Sequence, residues 1–337
     1  MPIKMKTKSE SFVVHYPEAV TFADEQIKIL WTHGEIKVEK DIHDILTNFD
    51  ESEKHAVITA LKLFTLYELK AGADYWCGRY MKTYQRPELE RMAATFGMFE
   101  LAIHKPFYNK INEALHLNND EFYTSYVKDP ILKARMDFID GAINDPDDLY
   151  STGVFSMVEG AILYSSFAFL KHFQSKGKNK ALNIVRGINF SVRDENMHSE
   201  AGSWSYRTQK KEEQRSAEEM QQIESRIKDA ALIIFEHESR IIDMMWEKGD
   251  ISGITKEDLK IFVKSRINIC LGNLEIEPIF EFAPESNTIE TWFYDSINKF
   301  VFNDFFSGIG REYVRDWDEE SFNWKTEEEM EKELEGN

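Results

Sequence analysis

The chain has 337 residues, with 41 Lys and Arg against 60 Asp and Glu, and a formal net charge of −19. That charge excludes nucleic acid as an expected partner, because phosphate binding needs clustered cations that displace counterions, and it excludes attraction to an anionic membrane surface. At 42% hydrophobic, with only 16 Gly and 8 Pro, the sequence suits a large core and has too few breakers for a turn-rich β-protein or a disordered chain.

Cys77 and Cys270 are far apart and form no CxxC motif, so no disulfide framework is expected and a reducing cytoplasm is the simplest compartment. The polar N-terminus shows no signal peptide. The longest apolar stretch, residues 154–170, is 17 residues long and contains Glu159, short of the roughly 18 expected of a membrane span.

In chain order, residues 51–84 read as one long helix, with apolar positions such as Val57, Leu61 and Phe64 recurring at three and four. Pro87 opens a second helix at the favoured first position, and it runs to about Leu117. Pro106 lies inside it, which predicts a kink or local widening. A third helix is expected over residues 120–144, closed by Asp145-Pro146-Asp147. The fourth, residues 151–174, is apolar on nearly every side, as befits the middle of a bundle.

A fifth helix covers residues 180–207, a sixth and amphipathic one residues 210–247, and another begins at a Thr255 cap. The glutamate-rich end reads as an acidic tail. Without an internal repeat or Gly/Ser linker, one helical domain is the expected organisation.

Several acids interrupt the most apolar helices: Glu68, Glu100, and Glu159, the only charge among residues 154–170. An isolated buried carboxylate costs several kcal/mol or takes up a proton unless a cation compensates it. Glu100 with His104, and Glu195 with His198, also place a histidine one turn beyond a glutamate on the same helix face. Four glutamates and two histidines from four helices are the ligand set of a carboxylate-bridged dinuclear metal site in a helical bundle. The bland alternative, a structural helical protein with paired ions, leaves Glu159 without an evident partner.

These residues resemble the small, radical-generating subunit of class I ribonucleotide reductase, within the ferritin-like dimetal-carboxylate superfamily. The resemblance spans most of the chain: Trp31-Thr-His-Gly-Glu-Ile, Glu53-Lys-His, Pro87-Glu-Leu-Glu, His104-Lys-Pro-Phe-Tyr108, Arg193-Asp194-Glu195-Asn-Met-His198, Pro278-Ile-Phe, and Asp304-Phe-Phe with Tyr313 seven residues on. It implies an all-α, ferritin-like bundle over residues 1–315 and an acidic tail, 316–337, that docks to a large subunit. It implies that Glu68, Glu100 and His104 hold one metal, and Glu159, Glu195 and His198 the other. Tyr108 takes the place of the radical tyrosine, and Asp194 links His104 to Trp31. Tyr313 would pass the radical to the large subunit. Leu163 and Phe167, four and eight residues after Glu159, are expected to wall the site.

Two departures from the family pattern matter. The first ligand is Glu68 where many members have Asp, which resembles the manganese-containing subclasses; Mn2, Mn/Fe and Fe2 all remain compatible with an O/N site. The second is the spacing Glu100-x-x-x-His104 where the family has Glu-x-x-His, which predicts a π-type widening near residues 99–104. The resemblance implies a homodimer that works with the large subunit and, as a further expected partner, an activase. Its rivals are a related ligand-binding Mn/Fe oxidase and a ferritin-like metal-storage protein.

Overall fold

A computed structural model describes residues 4–294, the Thr65 side chain excepted. The expectations for Asp304-Phe-Phe, Tyr313 and the 316–337 tail fall outside these residues. Among the described residues the secondary structure is helical throughout, without a strand.

Helix α1 (Pro17–Lys28) carries proline in its first turn. Helix α2 (Glu51–Leu69) begins with a reciprocal cap: Glu53 N donates to Asp50 Oδ1 at 2.8 Å and Asp50 N to Glu53 Oε2 at 3.1 Å. The expected single helix over 51–84 is continuous but not uniform, because it widens to a π-helix over Lys70–Tyr80 before a last α-helical turn, Met81–Thr83. Periodicity marks the apolar face but does not distinguish i→i+4 from i→i+5 bonding.

Helix α3 (Pro87–Phe99) passes through a π turn, Glu100–His104, into α4 (Lys105–Ala114). This is the widening that the Glu-x-x-x-His spacing and Pro106 called for. The expected third helix is instead two, α5 (Asp120–Lys128) and α6 (Pro130–Ile143). Proline disfavours the helical region for the residue before it, and Asp129, extended there, caps α6 by accepting from Ile131 N and Leu132 N.

The fourth expected helix is also divided, into α7 (Asp148–Ala161) and α8 (Tyr164–Lys171). Leu163 between them has φ +75°, a left-handed conformation that costs a non-glycine residue about 1–2 kcal/mol. The break cancels the four-and-eight spacing from which Leu163 and Phe167 were placed on the face of Glu159. The 148–174 run is long and apolar enough to cross a membrane, yet its most apolar window is wholly buried; it is the core of the bundle.

Helices α9 (Leu182–Glu213), α10 (Ala217–Met245) and α11 (Lys256–Asn273) complete the described fold. The α9–α10 boundary lies later than the sequence suggested, because Ser216 and Glu219 form a reciprocal cap that starts α10 there. Helix α7 packs most extensively against α9 and also meets α6, α10 and α11. The π segment, continuous with α2, packs against α3. Gly72 and Gly97 permit that approach: a Cβ on Gly72 would lie 2.8 Å from Glu100 Cβ, and one on Gly97 would lie 2.3 Å from Cys77 Sγ.

Candidate metal centre

Glu68 on α2, Glu100 and His104 on the π turn, Glu159 on α7, and Glu195 and His198 on α9 are all fully or almost fully buried. They fall into two overlapping groups. Glu68, Glu100, His104 and Glu195 offer ligand atoms within 4.8 Å of one another, as do Glu100, Glu159, Glu195 and His198. Glu100 and Glu195 belong to both, the arrangement that two bridging carboxylates would have.

His104 turns Nδ1 into the cluster, 3.1 Å from Glu100 Oε2, 3.3 Å from Glu195 Oε1 and 3.7 Å from Glu68 Oε2. Its Nε2 donates to Asp194 Oδ2 at 3.1 Å, and the same oxygen accepts from Trp31 Nε1 at 2.7 Å. Asp194 thereby holds the ring in the orientation that leaves Nδ1 for a ligand. His198 Nδ1 approaches Glu100 Oε1 to 2.8 Å without hydrogen-bond geometry, and its Nε2 has no partner.

Both oxygens of Glu68 and of Glu195, and Glu100 Oε1, are likewise buried without a hydrogen bond. Among the described residues, the ion-pair contacts of Glu68, Glu100 and Glu195 are with these two histidines alone. Four carboxylates packed around His104 Nδ1 and His198 Nδ1 suit divalent cations, which would satisfy the orphaned carboxylate oxygens and His198 Nδ1.

The electrostatics agree. Burial, and then the charge of Glu100, push the Glu68 carboxyl well above the usual carboxylate range; burial and the charge of Glu195 do the same to Glu159. Burial also works against ionised Glu100, but His104 beside it holds that carboxyl well below the range. Burial opposes the charged form of His198, yet its contacts to Glu100 and Glu195 raise it to about 9. Without metal the cluster therefore holds protons that a cation would displace.

Tyr108, one turn after His104, is fully buried and stacked on Phe64, with ring centroids 4.2 Å apart and planes 8° apart. Its hydroxyl has no hydrogen-bond partner. Phe64 is the wall on this side, and Phe167 stacks behind it at 5.4 Å. Two further residues escaped sequence reasoning. Trp76 Nε1 donates to Glu159 Oε1 at 2.7 Å, and Tyr67 Oη donates to Glu159 Oε2 and to the Val158 carbonyl, each at 3.2 Å. Tyr67 at least adjoins Glu68 in sequence; nothing local marks Trp76, whose acceptor lies 83 residues away.

The family described as "Ribonucleotide reductase, small chain" matches residues 9–288. A curated relative, the probable ribonucleoside-diphosphate reductase small subunit 048L of Invertebrate iridescent virus 3, is 24% identical over 323 residues, covering 89% of this chain and 82% of that protein. Among solved structures, dimanganese(II)-NrdF of Streptococcus sanguinis has a TM-score of 0.73 at 19% identity, over 85% of this chain and 98% of its own. A putative class I ribonucleotide reductase from Bacillus halodurans also has a TM-score of 0.73, at 18% identity, over 84% of this chain and 100% of its own. The match across most of the chain and a buried dimetal-carboxylate site in a helical bundle lead to one conclusion: the chain belongs to the ribonucleotide reductase small-chain family.

Proposed function

We propose that this small subunit generates the one-electron oxidising equivalent its large subunit uses to reduce ribonucleotides to deoxyribonucleotides. The observation that carries this reading is the convergence of six buried ligand side chains on two overlapping groups that share Glu100 and Glu195. Glu68, Glu100 and His104 would hold one cation, and Glu159, Glu195 and His198 the other. Two redox-active cations supply, once oxidised by dioxygen or a reduced oxygen species, the one-electron oxidant.

The chain's own residues do the rest. Glu100 and Glu195, in reach of both groups, would help hold both cations; Asp194 fixes His104 and couples it to Trp31; Phe64 and Phe167 keep water from the Tyr108 ring. The oxidising equivalent is stored on Tyr108 or on the metals, and leaves through Trp31 and Tyr313 for the large subunit, to which the acidic 316–337 tail docks. Glu68, whose longer arm can change between terminal and bridging modes, favours a manganese-containing pair, and the dimanganese form of the S. sanguinis protein supports that preference. Homodimerisation, an activase partner and a cytoplasmic location complete the proposal.

Metal analysis with electron paramagnetic resonance on native-source protein tests it. The expected result is two metals per chain and either a tyrosyl or a coupled-manganese signal. Ribonucleotide reduction on adding the cognate large subunit, lost in Tyr313→Phe, is expected to follow; a loaded chain that never supports turnover would overturn the reading.

A further inference from the structure

Arg266, buried on α11, reaches both sides of the break that divides α7 from α8. A helix leaves the carbonyls of its last turn without intrahelical donors, and α7 ends at Ala161, two residues beyond Glu159. In that turn the Val158 carbonyl accepts from Tyr67 Oη, and the Gly160 carbonyl accepts from Arg266 Nε at 2.9 Å. The same guanidinium lies over the ring of Tyr164, the first residue of α8, with its carbon 4.0 Å from the centroid. Its Nη2 donates to Asn196 Oδ1 at 3.1 Å, and Tyr164 Oη donates to that oxygen at 2.7 Å. Asn196 follows Glu195 on α9. One planar cation therefore ties together the residue after Glu159, the residue after Glu195 and the ring that opens α8. Gly160 allows the approach: a Cβ there would lie 2.3 Å from Ser199 Oγ and 2.5 Å from Cys270 Sγ, so α7, α9 and α11 meet where a methyl group does not fit.

We infer that Arg266 is a positioning residue for the second cation, holding α7 and α9 at the separation that lets Glu159, Glu195 and His198 share one ion. The inference rests on the assignment of those three ligands proposed above. Arg266 acts through the α7 backbone and the Asn196 side chain, and its charge sits at the C-terminal end of α7, where the helix dipole favours a cation. Lysine could not replace it, because a point charge on a flexible stem does not bond a carbonyl and an amide oxygen while stacking on a ring. The effect falls unequally on the two ions. Glu159 and His198 belong to the second group alone, whereas the first keeps Glu68, Glu100 and His104 whatever happens to the shared Glu195.

The test titrates the full-length chain with Mn(II), read by chelator competition and electron paramagnetic resonance. Arg266→Lys is expected to bind one equivalent as the wild type does and the other about 10–100-fold more weakly. The spectrum of the partly loaded variant is then expected to shift from coupled manganese to an isolated Mn(II) ion, at unchanged helical circular dichroism. Asn196→Ala removes only the acceptor shared by Arg266 and Tyr164, and is expected to weaken the same equivalent; it decides the matter where Arg266→Lys does not fold. Weakening of both equivalents alike would mark a general loss of packing and overturn the positioning role. Unchanged binding of both in the folded variants would overturn it too, leaving the ligand assignment in place. A wild-type chain that takes up fewer than two Mn(II) ions would overturn the ligand assignment and this inference with it.

Discussion

Replacing Gly72 with alanine places a methyl carbon 2.7 Å from Leu101 Cγ and 2.8 Å from Glu100 Cβ. Carbon pairs pack best at about 3.5–4.0 Å, so the overlap is roughly 1 Å. Leu101 can rotate, but Glu100 Cβ is bonded to the main chain and retreats only if the π turn moves. Overpacking of this kind costs about 1–3 kcal/mol, set against about 0.8–1.0 kcal/mol that alanine gains over glycine in a helix. The expected net loss is up to about 2 kcal/mol, or up to about 3 °C in Tm for a domain of roughly 300 residues.

Because Glu100 stands in both ligand groups, its displacement is also expected to lower metal affinity by at least the 10–100-fold typical of losing a supporting contact. Thermal unfolding of metal-free and loaded protein, with a competitive chelator titration, measures both effects. The control is Gly141→Ala on α6, where a Cβ meets nothing within 4 Å and alanine is expected to stabilise by up to about 1 kcal/mol. If Gly72→Ala matches that control in stability and metal affinity, the account of the π turn is wrong.

Asp194→Asn keeps the shape but loses the charge shared by His104 and Trp31, so metal affinity is expected to fall by about 10–100-fold at unchanged helicity, as read by chelator competition. Trp76→Phe leaves Glu159 Oε1 buried without its donor and is expected to cost about 1–3 kcal/mol in denaturant unfolding. Tyr108→Phe removes a buried hydroxyl that makes no hydrogen bond of good geometry, so its denaturation free energy is expected to stay within about 1 kcal/mol of wild type. For pH, the raised value of His198, from 6.5 to about 9, means that metal-free protein carries stability present below about 6.5 and lost as pH rises toward 9. The Tm of the metal-free chain is therefore expected to fall across that window while the loaded chain stays level, and metal uptake is expected to release protons measurable in buffers of different ionisation enthalpy; a flat metal-free profile would contradict this assignment.

What the sequence determines by itself is the chemistry and the class of fold. Charged residues are costly in an apolar core, so Glu68, Glu100 and Glu159 stand out from their surroundings without any structure, and the helix period brings His104 and His198 to the faces of their glutamates. The extra residue between Glu100 and His104, set against the Glu-x-x-His spacing of the family, also predicts the π turn that the structure contains.

Tertiary packing decided what no local signal encodes. The π segment Lys70–Tyr80 arises where Gly72 and Gly97 let two helices close on each other, and apolar periodicity cannot register a bond shifted by one residue. The break at Leu163 interrupts a run whose composition favours helix throughout, so a backbone cost of about 1–2 kcal/mol is offset only by burial on every side. Tyr67 and Trp76 gain their part at the site because α2 and its π extension lie beside α7, bringing a hydroxyl and an indole N–H to the two oxygens of Glu159; a hydrogen bond across 83 residues has no period, and only the folded chain contains it.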